Sequence, residues 1–196
     1  AGNLHSVENA LRRAGAEGAL GSDGDALAKA ERIVLPGVGA FGACYNGLAS
    51  LPGMIEALES HVLKDGVPFL GICVGMQLLA DKGLEHGETP GLGWIGGEVR
   101  ALEPSEHVKV PHMGWNALEG FAVGEPLLTG ISAGSHAYFV HGYYVSAGRV
   151  TQAQCDYGVP VSAIVRQGQV SGCQFHPERS GAVGARILSN FAGIKA

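Results

Sequence analysis

Residues 67–80 read VPFLGICVGMQLLA. An apolar run ends in Gly-Ile-Cys-Val-Gly and a helix-like run follows at once, so Cys73 sits between Gly71 and Gly75 where a strand turns into a helix. A cysteine used only for packing has no need of glycines on both sides. A strand, a tight turn and a helix with a nucleophile at the turn make a nucleophile elbow, which projects the side chain out of the sheet. The following helix directs its free N–H groups and the positive end of its dipole at the sulfur. That placement favours thiolate, the reactive form. The N–H of Val74 can also face an oxyanion formed when the sulfur attacks a carbonyl. Taken alone, the segment favours the elbow and leaves a buried packing cysteine at a glycine-rich turn as the alternative. Cys44, Cys155 and Cys173 lack such a context and read as structural.

Outward from this stretch, the first half alternates between helix and strand. Residues 3–14 carry Leu4, Val7, Ala10, Leu11 and Ala14 at helical spacing, with Gly15 as a stop. RIVL, residues 32–35, is strand-like and runs into a glycine-rich turn. Residues 53–65 are helical through Met54, Leu58 and Val62 and end at Gly66. VPFLGI is strand-like and VGMQLLADKG helix-like. The alternation predicts an α/β fold with a mostly parallel sheet covered by helices. In the second half, residues 94–102, 108–118, 137–146, 150–156, 160–166 and 169–175 read as short strands rich in Val, Tyr, Phe and Ile, and a helix closes the chain near 181–192. No repeat or low-complexity linker divides residues 1–196, which reads as a single domain with a β-rich second half.

Composition narrows the function. The 196 residues are enough for one real core. No apolar run approaches the roughly 18 residues of a membrane span, and the N-terminus lacks the basic-then-apolar order of a signal peptide. A net charge of −5 without a basic cluster argues against nucleic acid as the main partner. The four cysteines are widely and unevenly spaced, as expected of reduced thiols in a cytoplasmic protein. The eight histidines and four cysteines have no zinc-ligand spacing, so neither a metal nor a cofactor is expected.

A thiolate nucleophile needs a base and a group that orients it. CQFHPERSG, residues 173–181, offers both. His176 stands at the end of a strand-like run, and Pro177 prevents the strand from continuing. Glu178 is two residues further, where its carboxylate can reach the ring nitrogen facing away from the cysteine and stabilise imidazolium. By itself the pair also fits an ordinary histidine at a strand end beside an exposed glutamate.

GVGAFG, residues 37–42, matches the G-x-G-x-x-G dinucleotide pattern literally. Its context argues against that use. Pro36 comes between the strand-like run and the first glycine, FGACYNGLASLPG contains two further breakers before a convincing helix, and Glu56 falls in a helical pattern where the fingerprint needs a strand end. A loop with several exposed N–H groups can instead supply the second side of an oxyanion hole.

PGVGAFG, GICVGMQLL and QFHPE together resemble the class I (triad) glutamine amidotransferases. GNLHSV at 2–7, KVPHMGWN at 109–116 and YFVHGYY at 138–144 extend the resemblance over essentially the whole chain, to the glutaminase subunits of imidazole glycerol phosphate synthases. GICxGxQ and FHPE are shared by many amidotransferases, whereas PGVGAFG, HMGWN and GNL are more specific, and Met76 stands where other relatives usually carry His.

The resemblance implies an open, mostly parallel, flavodoxin-like sheet with helices on both faces. It implies a nucleophile at Cys73, an acid–base at His176 and an orienting carboxylate at Glu178. It puts oxyanion donors at Val74 and in the PGVG loop around Val38, a loop that in relatives has to reorient to complete the hole. Glutamine's amino-acid end would be held by Gln77 and by backbone groups of Gly37, His141, Gly142 and Tyr143. The ammonia would pass to a (β/α)8-barrel cyclase subunit, in a heterodimer making imidazole glycerol phosphate and AICAR for histidine biosynthesis. Asn3, Trp115, Tyr138 and Arg179 fall where relatives meet that subunit, and Arg179 replaces a common Lys. The family has a strand ending in Asp-Tyr-Gly before the GNL segment, and here the sequence begins at Ala1. That strand would be interior to the parallel sheet, so its loss would leave neighbouring strands without ladder partners. A cysteine hydrolase of the same fold acting on another amide, and a non-catalytic regulatory subunit, are the alternative readings. A redox-sensing thiol is weaker, since no second cysteine is near Cys73 in sequence.

Overall fold

The computed structural model describes residues 4–18, 21, 27–146 and 148–195. Helix α1 (Leu4–Arg13) buries Val7 and sets Ala10 and Leu11 against the core. It ends at Gly15, whose φ of 88° is left-handed, and the N–H of Ala16 closes back on the carbonyl of Leu11 at 3.0 Å. This is the glycine stop expected from the sequence.

Strand β1 (Ile33–Gly37) leads to helix α2 (Phe41–Ala49) and helix α3 (Met54–Glu59), which continues as a π turn through Lys64. Strand β2 (Phe69–Cys73) then runs directly into the short helix α4 (Val74–Gln77). Strands β3 (Lys82–Gly83), β4 (Thr89–Pro90), β5 (Glu98–Ala101), β6 (His112–Ala117), β7 (His136–His141), β8 (Tyr143–Val145), β9 (Thr151–Asp156), β10 (Pro160–Gln167) and β11 (Val170–Cys173) follow, and helix α5 (Gly181–Gly193) comes last.

The main sheet has five strands in the order β1-β2-β11-β10-β9. β1 and β11 both pair parallel to β2, whereas β10 and β9 are antiparallel. All residues of β2 are buried, as in a strand covered on both faces. The core runs from Phe69, packed edge-on to Trp94 at 5.2 Å, to Phe139 against Phe175 at 5.6 Å. The sheet is open and mixed, carries helices, and is joined to a β-rich second half. That half includes a second sheet, β4-β3-β5-β8, and the two-stranded β6–β7 sheet.

Three expectations about elements change. FGACYNGLA, read as too broken for helix, forms α2 immediately after the loop. Gly42 and Gly47 are tolerated because Phe41 is fully buried and the carboxylate of Glu85 accepts the Phe41 N–H at 2.6 Å, anchoring the start of the helix. Strand β1 also passes through Pro36 to Gly37, and Pro36 keeps its register opposite Ile72 of β2. Of the contextual arguments against a dinucleotide loop, the one that stands is Glu56 inside α3. Finally, α4 stops at Gln77 instead of running through VGMQLLADKG. The N–H groups of Leu92, Trp94 and Gly93 take the carbonyls of Leu78, Leu79 and Ala80 at 2.7–3.0 Å. The same cap delays the strand expected from residue 94 until Glu98.

Candidate active site

At the β2–α4 junction Cys73 has φ 56°, a value that non-glycine residues rarely adopt. The surroundings impose it. An added Cβ on Gly71 would stand 2.5 Å from the carbonyl oxygen of Gly75, and one on Gly37 would stand 2.6 Å from the Gly75 nitrogen. One on Gly75 would collide with the Leu35 carbonyl. Glycine at all three positions lets β1, β2 and α4 close on each other, and the strained residue between them is the one aimed at the cavity.

His176 follows β11 by three residues, after a bend at Gln174 and Phe175, and caps the 3₁₀ turn Pro177–Arg179. Its backbone is pinned on two sides. The His176 N–H donates to the Tyr138 carbonyl at 2.9 Å, and its own carbonyl accepts from the Ser180 hydroxyl at 2.7 Å. The imidazole shares the cavity wall with Cys73, and its Nδ1 is 2.8 Å from Glu178 Oε1. The side chain of Glu178 is 1% exposed, and its second oxygen has no hydrogen-bond partner. Burial alone would lower the pKa of His176. Its hydrogen bonds to Cys73 and Glu178 outweigh that effect and raise it to about 9. Imidazolium is therefore the resting form at neutral pH.

These groups open into a cavity of about 520 Å³, whose wall also includes Val38, Val74, Gln77, Glu85 and the segment Val140–Tyr143. Val38 is on the loop between β1 and α2, and its carbonyl accepts from the Cys44 thiol at 3.4 Å. Gly37 contacts the elbow from β1 and is not on the cavity wall. The Gln77 amide donates to the Tyr143 carbonyl at 2.8 Å and to Gln174 Oε1 at 3.0 Å, and Gln174 Nε2 is 3.8 Å from the Cys73 sulfur.

Beside the cavity, Arg179 lies over the ring of Tyr138 at 4.5 Å, and Trp115 meets the same ring edge-on at 6.0 Å. Trp115 is 56% exposed. Asn3 is outside the described residues.

The family described as glutamine amidotransferase class-I matches residues 5–194. The chain belongs to the class-I glutamine amidotransferases. Imidazole glycerol phosphate synthase subunit HisH of Cereibacter sphaeroides is 50% identical over 97% of this chain and 93% of its own length. The subunit of that name from Rhodospirillum rubrum is 48% identical over the same shares. A crystal structure of a glutamine amidotransferase superposes with a TM-score of 0.74 at 21% identity, covering 98% of this chain and 95% of the other. The glutaminase domain of Trypanosoma brucei CTPS with bound acivicin gives 0.67 at 14% identity, covering 98% and 89%. These two structures share the amidotransferase fold with this chain.

The structure adds two residues to the site of this amidotransferase that the sequence reading missed. Glu85 reaches the cavity from a loop with no periodicity to flag it. Gln174 carried a usable signal, as a fully buried amide in an apolar run between Cys173 and Phe175. Among the described residues no cluster of His, Cys, Asp and Glu could hold a metal ion, and no helix is long and apolar enough to cross a membrane.

Proposed function

We propose that this chain is the glutaminase subunit of an imidazole glycerol phosphate synthase. It hydrolyses glutamine to glutamate and ammonia and passes the ammonia to a (β/α)8-barrel cyclase subunit in histidine biosynthesis. The observation that carries this reading is the convergence of Cys73, at the elbow, and His176, backed by Glu178, on one cavity.

The thiolate of Cys73 attacks the side-chain amide of glutamine, and the N–H of Val74 receives the oxyanion together with the loop at Val38. His176, already imidazolium, protonates the departing ammonia, and a thioester remains. After giving up its proton to ammonia the imidazole is neutral, so it can next take a proton from water and drive thioester hydrolysis. Glu178 keeps the Nδ1 proton in place through both steps. Gln77 and the backbone of His141, Gly142 and Tyr143 hold the amino-acid end of the substrate. Glu85, the other carboxylate on the cavity wall, suits its ammonium group.

Val38 and Arg179 line the cavity, Trp115 meets the Tyr138 ring that Arg179 covers, and Met113 pairs with Val140 of the cavity wall. Val38 is 51%, Met113 62% and Trp115 56% exposed, which suits docking of the partner over the cavity. The whole chain then works as one amidotransferase domain. Ammonia release from glutamine, measured with and without the cyclase subunit, tests this reading. Activity that needs Cys73 and rises with the partner is expected. A folded chain that releases no ammonia from glutamine in either case, or that cleaves only other amides, overturns it.

A further inference from the structure

The Tyr143 carbonyl, which receives Gln77 on one side, is held on its other side by a buried histidine pair. Its oxygen lies 2.9 Å from His141 Nδ1. A carbonyl only accepts, so His141 carries its proton on Nδ1. Burial, with the neighbouring His112, lowers the pKa of His141 to about 3, and burial lowers that of His112 to about 4. Both rings are neutral at physiological pH. A neutral imidazole has one N–H, which leaves His141 Nε2 as an acceptor. The atom 2.9 Å from it, His112 Nδ1, is therefore the donor. His112 Nε2 is left to accept from the Asn116 amide at 3.3 Å, and that amide also donates to the Asp156 carbonyl at 2.9 Å.

The direction of every bond follows from these assignments. Asn116 donates to His112, His112 to His141 and His141 to the Tyr143 carbonyl. Gln77 donates to that carbonyl and, with its second proton, to Gln174 Oε1, which turns the Gln174 N–H groups toward the Cys73 sulfur. His112 and His141 face each other in the register of β6 and β7. The His112 ring is stacked between Tyr157, at 3.8 Å, and Phe139, at 4.7 Å. Met113 and Trp115 project from the opposite face of the same strand and are exposed.

We infer that His112 is a positioning residue. Its Nδ1–H, acting through His141, fixes the Tyr143 carbonyl, and this seats Gln77 in the substrate cavity and Gln174 beside Cys73. For the identity of the substrate this rests on the glutaminase reading. Packing alone does not account for the arrangement, because phenylalanine at 112 would stack equally well. It would also leave His141 Nε2 as a buried acceptor without a donor.

The tautomers are testable without a variant. Nitrogen-15 spectra of histidine-labelled protein near neutral pH should report Nδ1–H tautomers at both His112 and His141. An Nε2–H tautomer at either ring overturns the inference. In glutaminase assays with the cyclase subunit, His112→Phe should raise the KM for glutamine roughly two- to tenfold, the worth of about one net hydrogen bond, with little change in kcat. His112→Asn, which returns an N–H near the Nδ1 position, should restore most of the loss. An unchanged KM in His112→Phe, or equal losses in both variants, overturns the inference while the glutaminase reading stands. A folded wild-type chain with no glutaminase activity overturns that reading instead, and the tautomer measurement still decides the hydrogen-bond chain.

Discussion

Gly75, the second residue of helix α4, lies so close to strand β1 that a methyl group on it would overlap the carbonyl oxygen of Leu35. The nucleophile elbow is therefore built by backbone meeting backbone, and no side-chain movement can relieve a substitution there. Gly75→Ala and Gly71→Ala are expected to cost at least about 3 kcal/mol, in the upper range of single substitutions. Cys73→Gly should behave oppositely, since it relieves a φ of 56°. It should abolish hydrolysis and stabilise the fold by up to about 1 kcal/mol. Denaturant melts of the three variants check this, and a Gly75→Ala protein as stable as wild type would contradict it.

The elevated pKa of His176 has a signed consequence. Its folded value, about 9, is above its ordinary value of 6.5. The group therefore adds stability that is fully present below the unfolded pKa and is lost as pH rises through the folded one. Wild type should weaken from near neutrality toward pH 9. Glu178→Gln removes one cause of the elevation, so its stability should fall less over that interval. Its kcat should drop by roughly 10²–10⁴, as expected when an orienting carboxylate is neutralised. Unfolding free energies across pH, with kcat measured alongside, provide the check.

The four thiols should differ sharply in reactivity. Burial raises the Cys155 thiol to about 12 and pushes Cys173 well above the usual range. Burial also raises Cys44, although its bond to the Val38 carbonyl works against this. A limiting dose of iodoacetamide on the folded protein should modify Cys73 first and Cys44 slowly, sparing Cys155 and Cys173 until unfolding. Peptide mass spectrometry gives the order. Early labelling of Cys173 would contradict it.

The aromatic rim predicts separable effects on binding and on chemistry. Arg179 on Tyr138, with Trp115 against the same ring, forms an exposed and pre-arranged surface. Trp115→Ala should weaken binding of the cyclase subunit by about 1–3 kcal/mol. Arg179→Lys should cost less than Arg179→Ala, since a lysine keeps the charge but not the planar stacking. Titration calorimetry measures both. Basal hydrolysis by Trp115→Ala without the partner should match wild type, because Trp115 is not on the cavity wall.

Much of the fold was legible because period and punctuation carry it. The short strands of the second half, the closing helix and the stop at Gly15 all follow from local patterns. Helix α2 was not legible, because what secures FGACYNGLA is the burial of Phe41 and a carboxylate 44 residues away. The length of α4 was not legible for a similar reason: the carbonyls just beyond it, of Leu78–Ala80, are taken by Leu92, Gly93 and Trp94 and not by a next helical turn.

The sequence by itself supplied the candidate chemistry. A cysteine between two glycines, a histidine before a proline and a glutamate two residues on offer a nucleophile, an acid–base and an orienter by residue type and spacing, and the resemblance to the amidotransferases is what selects those roles over structural ones. Only the tertiary structure decided how those groups are held. The closure of three glycines, the meeting of Cys73 and His176 at one cavity and the path from Asn116 to Gln174 join residues up to about a hundred positions apart. Local periodicity cannot encode such pairings, because each depends on which backbones the sheet brings within hydrogen-bonding distance.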